Sequence, residues 1–281
     1  MLKKIDSARN FLETHQEQLL CPVCKKSLQL KDYSLICEEN HQFDLSKKGT
    51  IYFLSHSIQT EYNKKMLLHR GRLIQSGMYK PLLEKIIASM DLNGETLDVG
   101  CGEGSFLSEL SKLGLTGSRF GFDISKDGIY LASNQPIDAF WCVADLTNLP
   151  FANQSMDTIL NIFSPSHYQE FQRVLKKDGT VIKVIPEAEY LKELRAAFYP
   201  EDETKQTYSN EKVLAKFSKE MDVLINEQIT FTFSVPEEYR LDLLEMSPLE
   251  WGVAEKVKEA IKKNPLSEIT IDVRMLKGKV K

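Results

Sequence analysis

From residue 81 onward the apolar positions fall into two alternating kinds of segment. Short, dense runs rich in β-branched and aromatic residues occupy 96–100, 119–124, 140–144, 157–163 and 180–185. Between them, 82–90, the stretch after Ser105, 125–134 and 168–175 carry apolar residues at helical spacing. Dense runs suit strands buried on both faces, and the helical stretches suit the layers that cover them. The alternation predicts an α/β fold with a parallel sheet wound on both faces. Further helices are expected at 191–198 and 211–217. The chain then reads as a strand at 228–235, a helical stretch around 248–263 and a strand at 268–276; the two strands suit the antiparallel pair that closes a seven-stranded sheet.

The first 80 residues are patterned differently. Ile5, Ala8, Leu12 and Leu19 have roughly helical spacing and predict a docking or capping helix. Residues 27–30 and 33–36 alternate around Lys31-Asp32 as a hairpin, and 42–44 with 50–53 add strand material. Cys21, Cys24, Cys37 and His41 form a C-x2-C-x12-C-x3-H pattern, four donors that can close a tetrahedron on Zn²⁺. A disulfide framework and a redox Cys-x-x-Cys compete with this reading. A reducing cytosol disfavours the first, and the second has no use for Cys37 and His41. Four protein ligands leave no position for a catalytic water, so the metal is expected to be structural. Residues 1–54 therefore read as an N-terminal helix with a zinc-ribbon module, 55–80 as a basic connecting segment and 81–281 as the catalytic domain.

The densest chemistry follows the first strand of that domain. Leu97-Asp98-Val99 runs into Gly100-Cys101-Gly102-Glu103-Gly104-Ser105, where alternating glycines let the backbone turn sharply and approach a ligand. A dinucleotide loop would read Gly-x-Gly-x-x-Gly. Here the third glycine comes one residue early, and Asp98 stands where a carboxylate suits an α-ammonium and a nearby sulfonium better than a pyrophosphate. This favours S-adenosylmethionine, with Gly100, Gly102, Glu103, Gly104 and Ser105 counted as its loop contacts. Asp123, 25 residues after Asp98, ends the next strand and is placed to accept from ribose hydroxyls. Asp145, followed by Leu146, ends the third and suits the adenine amino group. One such acid alone could simply cap a helix; three in register point to a cofactor. Ligands gather at the carboxyl ends of such strands, so Asn161, Phe163 and Ser164 are expected at the acceptor pocket. Asn161 and Ser164 could bond a base edge and Phe163 could stack on a base. His167, near a helix start, reads as structural.

Length and charge add two points. With 281 residues, 42% hydrophobic and 27% charged, the chain can hold one α/β domain and a small module. No run of about 18 apolar residues is present, and the N-terminus lacks a signal-peptide core, which predicts a cytoplasmic location without membrane association. The net charge of −4 hides an asymmetry: residues 1–80 carry 13 Lys/Arg against 8 Asp/Glu, the remainder 23 against 32. Lys64, Lys65, His69, Arg70 and Arg72 concentrate the excess in the connecting segment, either as a solvated helix face or as a grip for a polyanion.

The zinc knuckle ahead of a methyltransferase-type domain comes with His41-Gln42-Phe43-Asp44, Gly77-Met78-Tyr79-Lys80-Pro81-Leu82, the glycine loop, Phe163-Ser164-Pro165 and Met246-Ser247-Pro248-Leu249-Glu250-Trp251. This combination resembles the RlmA (RrmA) family, the 23S rRNA (guanine-N1)-methyltransferases, over nearly the whole chain. The resemblance implies a class I S-adenosylmethionine-dependent methyltransferase, with a Rossmann-like seven-stranded sheet and a structural zinc ribbon. Its substrate would be one guanine in a 23S rRNA hairpin lining the peptide exit tunnel, where family members can affect macrolide or tylosin sensitivity. The resemblance also carries the zinc ligands onto Cys21, Cys24, Cys37 and His41 and puts cofactor contacts on Tyr79 and the Gly104-Ser105 turn; family members can dimerise, so a homodimer is compatible with it. Tyr190 stands where the family has a histidine, and a tyrosine there can pack and donate one hydrogen bond.

Such an enzyme would transfer the methyl group in line to N1 of an unpaired or flipped guanine, with the rate coming chiefly from alignment. Two other function classes share parts of the pattern. A small-molecule methyltransferase would keep the cofactor motifs but has little use for a basic zinc ribbon. A non-catalytic zinc-containing RNA-binding factor would keep the ribbon but not Asp98, Asp123 and Asp145.

Overall fold

Alternate residues of the dense apolar runs do bury on opposite faces, as a doubly covered sheet requires. Leu160, Ile162, Ile182 and Val184 belong to one core, while Ile159, Val181 and Ile185, on the same two strands, belong to the other. The computed structural model describes residues 2–56, 58, 62–202 and 209–281. Residues 57 and 59–61 of the expected connecting segment thus lie outside the described residues.

Three short antiparallel strands, β1 (Leu28–Lys31), β2 (Ser34–Cys37) and β3 (Gln42–Asp44), form the zinc ribbon. The main sheet contains β4 (Thr50–Tyr52), β5 (Thr96–Val99), β6 (Arg119–Asp123), β7 (Phe140–Val143), β8 (Met156–Ile162), β9 (Leu175–Pro186), β10 (Met221–Ser234) and β11 (Glu268–Val280). Its order is β10-β11-β9-β8-β5-β6-β7-β4. The pairs from β9 to β4 are parallel, and β11 runs antiparallel to both β9 and β10. The helices are α1 (Lys4–His15), α2 (Lys64–Gln75), α3 (Lys80–Ser89), α4 (Ser105–Lys112), α5 (Lys126–Ala132), α6 (Tyr168–Val174), α7 (Lys192–Phe198), α8 (Glu211–Glu220), α9 (Asp242–Glu245) and α10 (Glu255–Lys263).

Three departures from the sequence pattern change the fold most. Residues 50–52, expected within the zinc module, pair in parallel with β7 and give the sheet an eighth strand. Ile51 anchors this edge, 1% exposed in the core that also holds Cys142 and Phe140. The helix at the N-terminus docks on the same face: Phe11 meets Phe120 edge-on at 5.3 Å, and His15 Nε2 lies 2.8 Å from Ser118 Oγ. Front module and catalytic sheet therefore share one core. β10 starts seven residues earlier than its apolar run suggested, because it pairs along its whole length with β11. The stretch 248–263 is not one helix: a 3₁₀ turn at Pro248–Glu250 and Gly252 at φ +80° precede α10.

Candidate active site and zinc cluster

Cys21, Cys24, Cys37 and His41 bring one donor atom each into a cluster whose members lie within 4.8 Å of one another. Each ligand pair closes on a tight turn, with Lys25 N–H donating to Cys21 O at 2.8 Å and Asn40 N–H to Cys37 O at 2.9 Å. His41 Nδ1 is 3.5 Å from Cys21 Sγ and 3.3 Å from Cys37 Sγ, and Cys24 Sγ is 3.6 Å from Cys37 Sγ. Tetrahedral zinc bonds put ligand sulfurs about 3.8 Å apart and sulfur from nitrogen about 3.6 Å apart, so the donor set fits the ion with every position filled.

At the end of β5 the backbone passes through Gly100, Gly102 and Gly104 at φ +65°, +55° and +79°. Gly104 has a second reason to lack a side chain: a Cβ there would sit 2.7 Å from Trp141 Cη2. Ser105 then opens α4, and its hydroxyl oxygen accepts from Gln75 and Gln135. Asp123 braces the loop, taking Gly102 N–H on one oxygen at 2.9 Å and Ser125 N–H on the other at 2.7 Å. Asp145 Oδ1 accepts from both the amide and the hydroxyl of Thr147 at 2.8 Å. Gly100, Gly102, Asp123, Asp145 and Leu146 line one cleft of about 280 Å³.

The remaining expected cofactor residues surround that cleft without lining it. Asp98 is 2% exposed, and its Oδ2 has no hydrogen-bond partner among the described residues. Burial, reinforced by the Glu103 and Asp123 carboxylates, pushes Asp98 up to about 8. Glu103 is raised by burial as well, while Arg70 opposes the shift. Two buried acids, Asp98 and Glu103, and the half-buried Asp123 share one guanidinium, Arg70, so the region around the cleft is short of positive charge. An ammonium and a sulfonium supply what it lacks, so the residues present fit S-adenosylmethionine. Tyr79 and Tyr190 join through their hydroxyls at 2.5 Å and line a second, adjoining cavity of about 870 Å³.

Phe163 and Arg70 line both cavities. Phe163 holds a left-handed φ of +54°, and its ring packs 5.6 Å from Tyr79 and 5.4 Å from Tyr190. The Arg70 guanidinium lies over Phe106 and Phe163 at 5.9 and 6.0 Å. Arg70, expected to grip phosphate from the connecting segment, is thus turned into the site. Its neighbours are engaged elsewhere. Arg72 and His69 bind Asp242, at 2.8 Å from Arg72 Nε and 2.6 Å from His69 Nδ1, Lys65 pairs with Glu245, and Lys64 lies 5.0 Å over the Tyr130 ring. The basic connection is therefore a docked helix and not a free phosphate grip.

Asn161 and Ser164 need a second correction. Asn161 is fully buried: its amide donates to Pro165 O at 2.8 Å and Ser164 O at 3.1 Å, and its oxygen accepts from Lys183 Nζ at 2.6 Å and Ser166 Oγ at 2.7 Å. Ser164 donates to Val99 O at 2.5 Å. Both hold the loop after β8 and have nothing left for a base edge. His167 caps α6, as expected of a structural histidine. Sequence reasoning missed Lys183, whose signal was a lone cation inside the apolar run 180–185. Its ammonium binds Asn161, Ser166 and Ser164 with no carboxylate partner among the described residues, and burial lowers it to about 8.

Comparison with known proteins agrees with this arrangement. Residues 19–55 match the model described as the N-terminal region of RlmA, and residues 97–183 match a methyltransferase domain. A Bacillus subtilis (strain 168) protein, YxjB, named as a 23S rRNA (guanine-N(1)-)-methyltransferase, is 37% identical over 92% of this chain and 95% of its own length. The chain belongs to the RlmA family. The 23S rRNA (guanine(748)-N(1))-methyltransferase of Streptomyces fradiae is 29% identical over 63% of this chain and 66% of its own length. Membership makes the protein a methyltransferase with S-adenosylmethionine as cofactor and zinc as a structural ion. Among the described residues no helix is long and apolar enough to cross a membrane.

Proposed function

We propose that this protein methylates N1 of a guanine in 23S rRNA. One observation carries the choice of acceptor: the acid-ringed cofactor cleft adjoins a cavity about three times larger, whose charged lining residues among those described are Arg70, Lys183, Arg195, Lys212 and Lys216, with no carboxylate among the described lining residues. In a domain with 32 acidic and 23 basic residues, that lining suits an anionic acceptor too large for the cleft itself. The names of the relatives fit a ribosomal RNA.

When bound, S-adenosylmethionine supplies an electrophilic methyl group next to a sulfonium. Asp98, with an oxygen to spare, would hold the ammonium end, and Asp123 and Asp145 the ribose and adenine. Phe163 and Tyr190 give a guanine an aromatic wall at the junction of the cavities, so that the target would leave its base pair and stack there at a cost of a few kcal/mol. The cofactor would supply the methyl group that N1 takes up in exchange for its proton, which would pass to solvent. The protein's share is alignment. The same reading has the reaction in the cytoplasm and is compatible with a homodimer.

Incubation of the protein with methyl-labelled cofactor and unmodified 23S rRNA should label one nucleotide as N1-methylguanine. Label appearing on a free metabolite, with none on RNA, would overturn the proposal.

A further inference from the structure

The larger cavity has a rim as well as a floor. Tyr199, in its wall, donates from its hydroxyl to Leu249 O at 2.8 Å and Trp251 O at 3.2 Å, which fixes the turn carrying Trp251 beside the opening. Trp251 is 39% exposed and meets Tyr62, another lining residue, edge-on at 5.9 Å. Part of the Trp251 indole is therefore exposed beside residues that line the cavity, where a base could stack on it.

The α7–α8 side of the lining is cationic. Arg195 is 5% exposed; one guanidinium nitrogen donates to Ala188 O, while its Nε has no partner among the described residues. The acids near it are committed elsewhere: Glu193 accepts from Thr270, Asp272 from Gln228 and Thr230, and Glu189 pairs with Lys192. Lys216 is paired with Glu220, whereas Lys212 makes no ion pair among the described residues.

We propose that this cavity holds a second nucleotide, a neighbour of the acceptor guanine, whose base stacks on Trp251 and whose phosphate is held by Lys212 and Arg195. The inference rests on the functional reading above and deepens it, since it makes the substrate a splayed single strand and not a lone flipped base. Aromatic faces combined with a cationic track are how proteins bind single-stranded nucleic acid. A phosphate would also give the Arg195 nitrogen and Lys212 an acceptor that no described residue supplies.

The chain has two tryptophans, and the other, Trp141, is 3% exposed, so fluorescence quenching reports on Trp251. The full-length protein is titrated with a single-stranded oligoribonucleotide containing one guanine and with the same sequence closed in a duplex. Methyl transfer to unmodified 23S rRNA is followed alongside. The expected result is quenching by the single strand and not by the duplex. Trp251→Ala should weaken RNA binding about tenfold or more. Lys212→Ala should flatten the log–log salt dependence of RNA binding by about 0.7, the contribution of one phosphate contact to a single strand. Cofactor affinity should be unchanged in both variants. Transfer that persists with no quenching, an unchanged salt slope and unaltered RNA affinity overturns the subsite and leaves the functional reading intact. Failure of the unmodified protein to methylate the RNA removes both.

Discussion

Cofactor binding should expel a proton, and Asp98 is the reason. In the free protein its carboxyl is buried with one oxygen unpartnered, and burial with the Glu103 and Asp123 charges raises it to about 8. At pH 7 such a group is ionised in only about one molecule in eleven. An ammonium bound against it needs the carboxylate, so binding at pH 7 must first ionise it, at a cost of about 1.4 kcal/mol, and release about 0.9 proton per ligand. Affinity should rise about tenfold per pH unit between about pH 6 and pH 8 and level off above that. Stability of the ligand-free protein runs the other way. Its folded state keeps a proton that the unfolded chain loses near pH 3.8, so this contribution is full at low pH and fades as pH rises toward 8. Calorimetric titration with S-adenosylmethionine in two buffers of different ionisation enthalpy counts the protons directly. Asp98→Asn should bind about ten- to a hundredfold more weakly at pH 8, the loss of a charge-assisted hydrogen bond, and should show no pH dependence from this position. Affinity independent of pH, with no proton exchange in the unmodified protein, would refute the reasoning.

Three further outcomes follow from the same geometry. Gly104→Ala places a Cβ 2.7 Å from Trp141 on a backbone at φ +79°, and should cost about 1–3 kcal/mol of stability together with cofactor affinity, read by thermal melting and titration. Above about pH 8 the Lys183 ammonium becomes an amine with two donors for three oxygen partners, so methyl transfer should decline with a midpoint near 8. Lys183→Met should be slower at every pH and lack that alkaline limb; a limb that survives the substitution assigns it to another group. Chelation of zinc, or Cys24→Ser, should unfold the ribbon and lower the melting temperature, because four closed ligands contribute folding energy directly. An unchanged melt after verified zinc loss would show that the ribbon is held by its packing alone.

What the sequence determined by itself is what neighbours along the chain decide among themselves. The glycine alternation at 100–104, the knuckles at 21–24 and 37–41, the start of α4 at Ser105 and the two-faced burial of β8 and β9 all depend on backbone conformation and periodicity over a few residues. The partners of the polar side chains were decided only by the tertiary structure. Lys65 and Arg72 looked free until the fold set Glu245 and Asp242, 180 and 170 positions away, against them. Asn161 looked like a base reader until Lys183, 22 residues on, came up through the neighbouring strand and took its oxygen. Thr50–Tyr52 left the ribbon because the edge of β7 offered unpaired backbone. A charge or an amide makes its bonds with whatever lies within about 3 Å, and which residues lie there is fixed by how the layers pack.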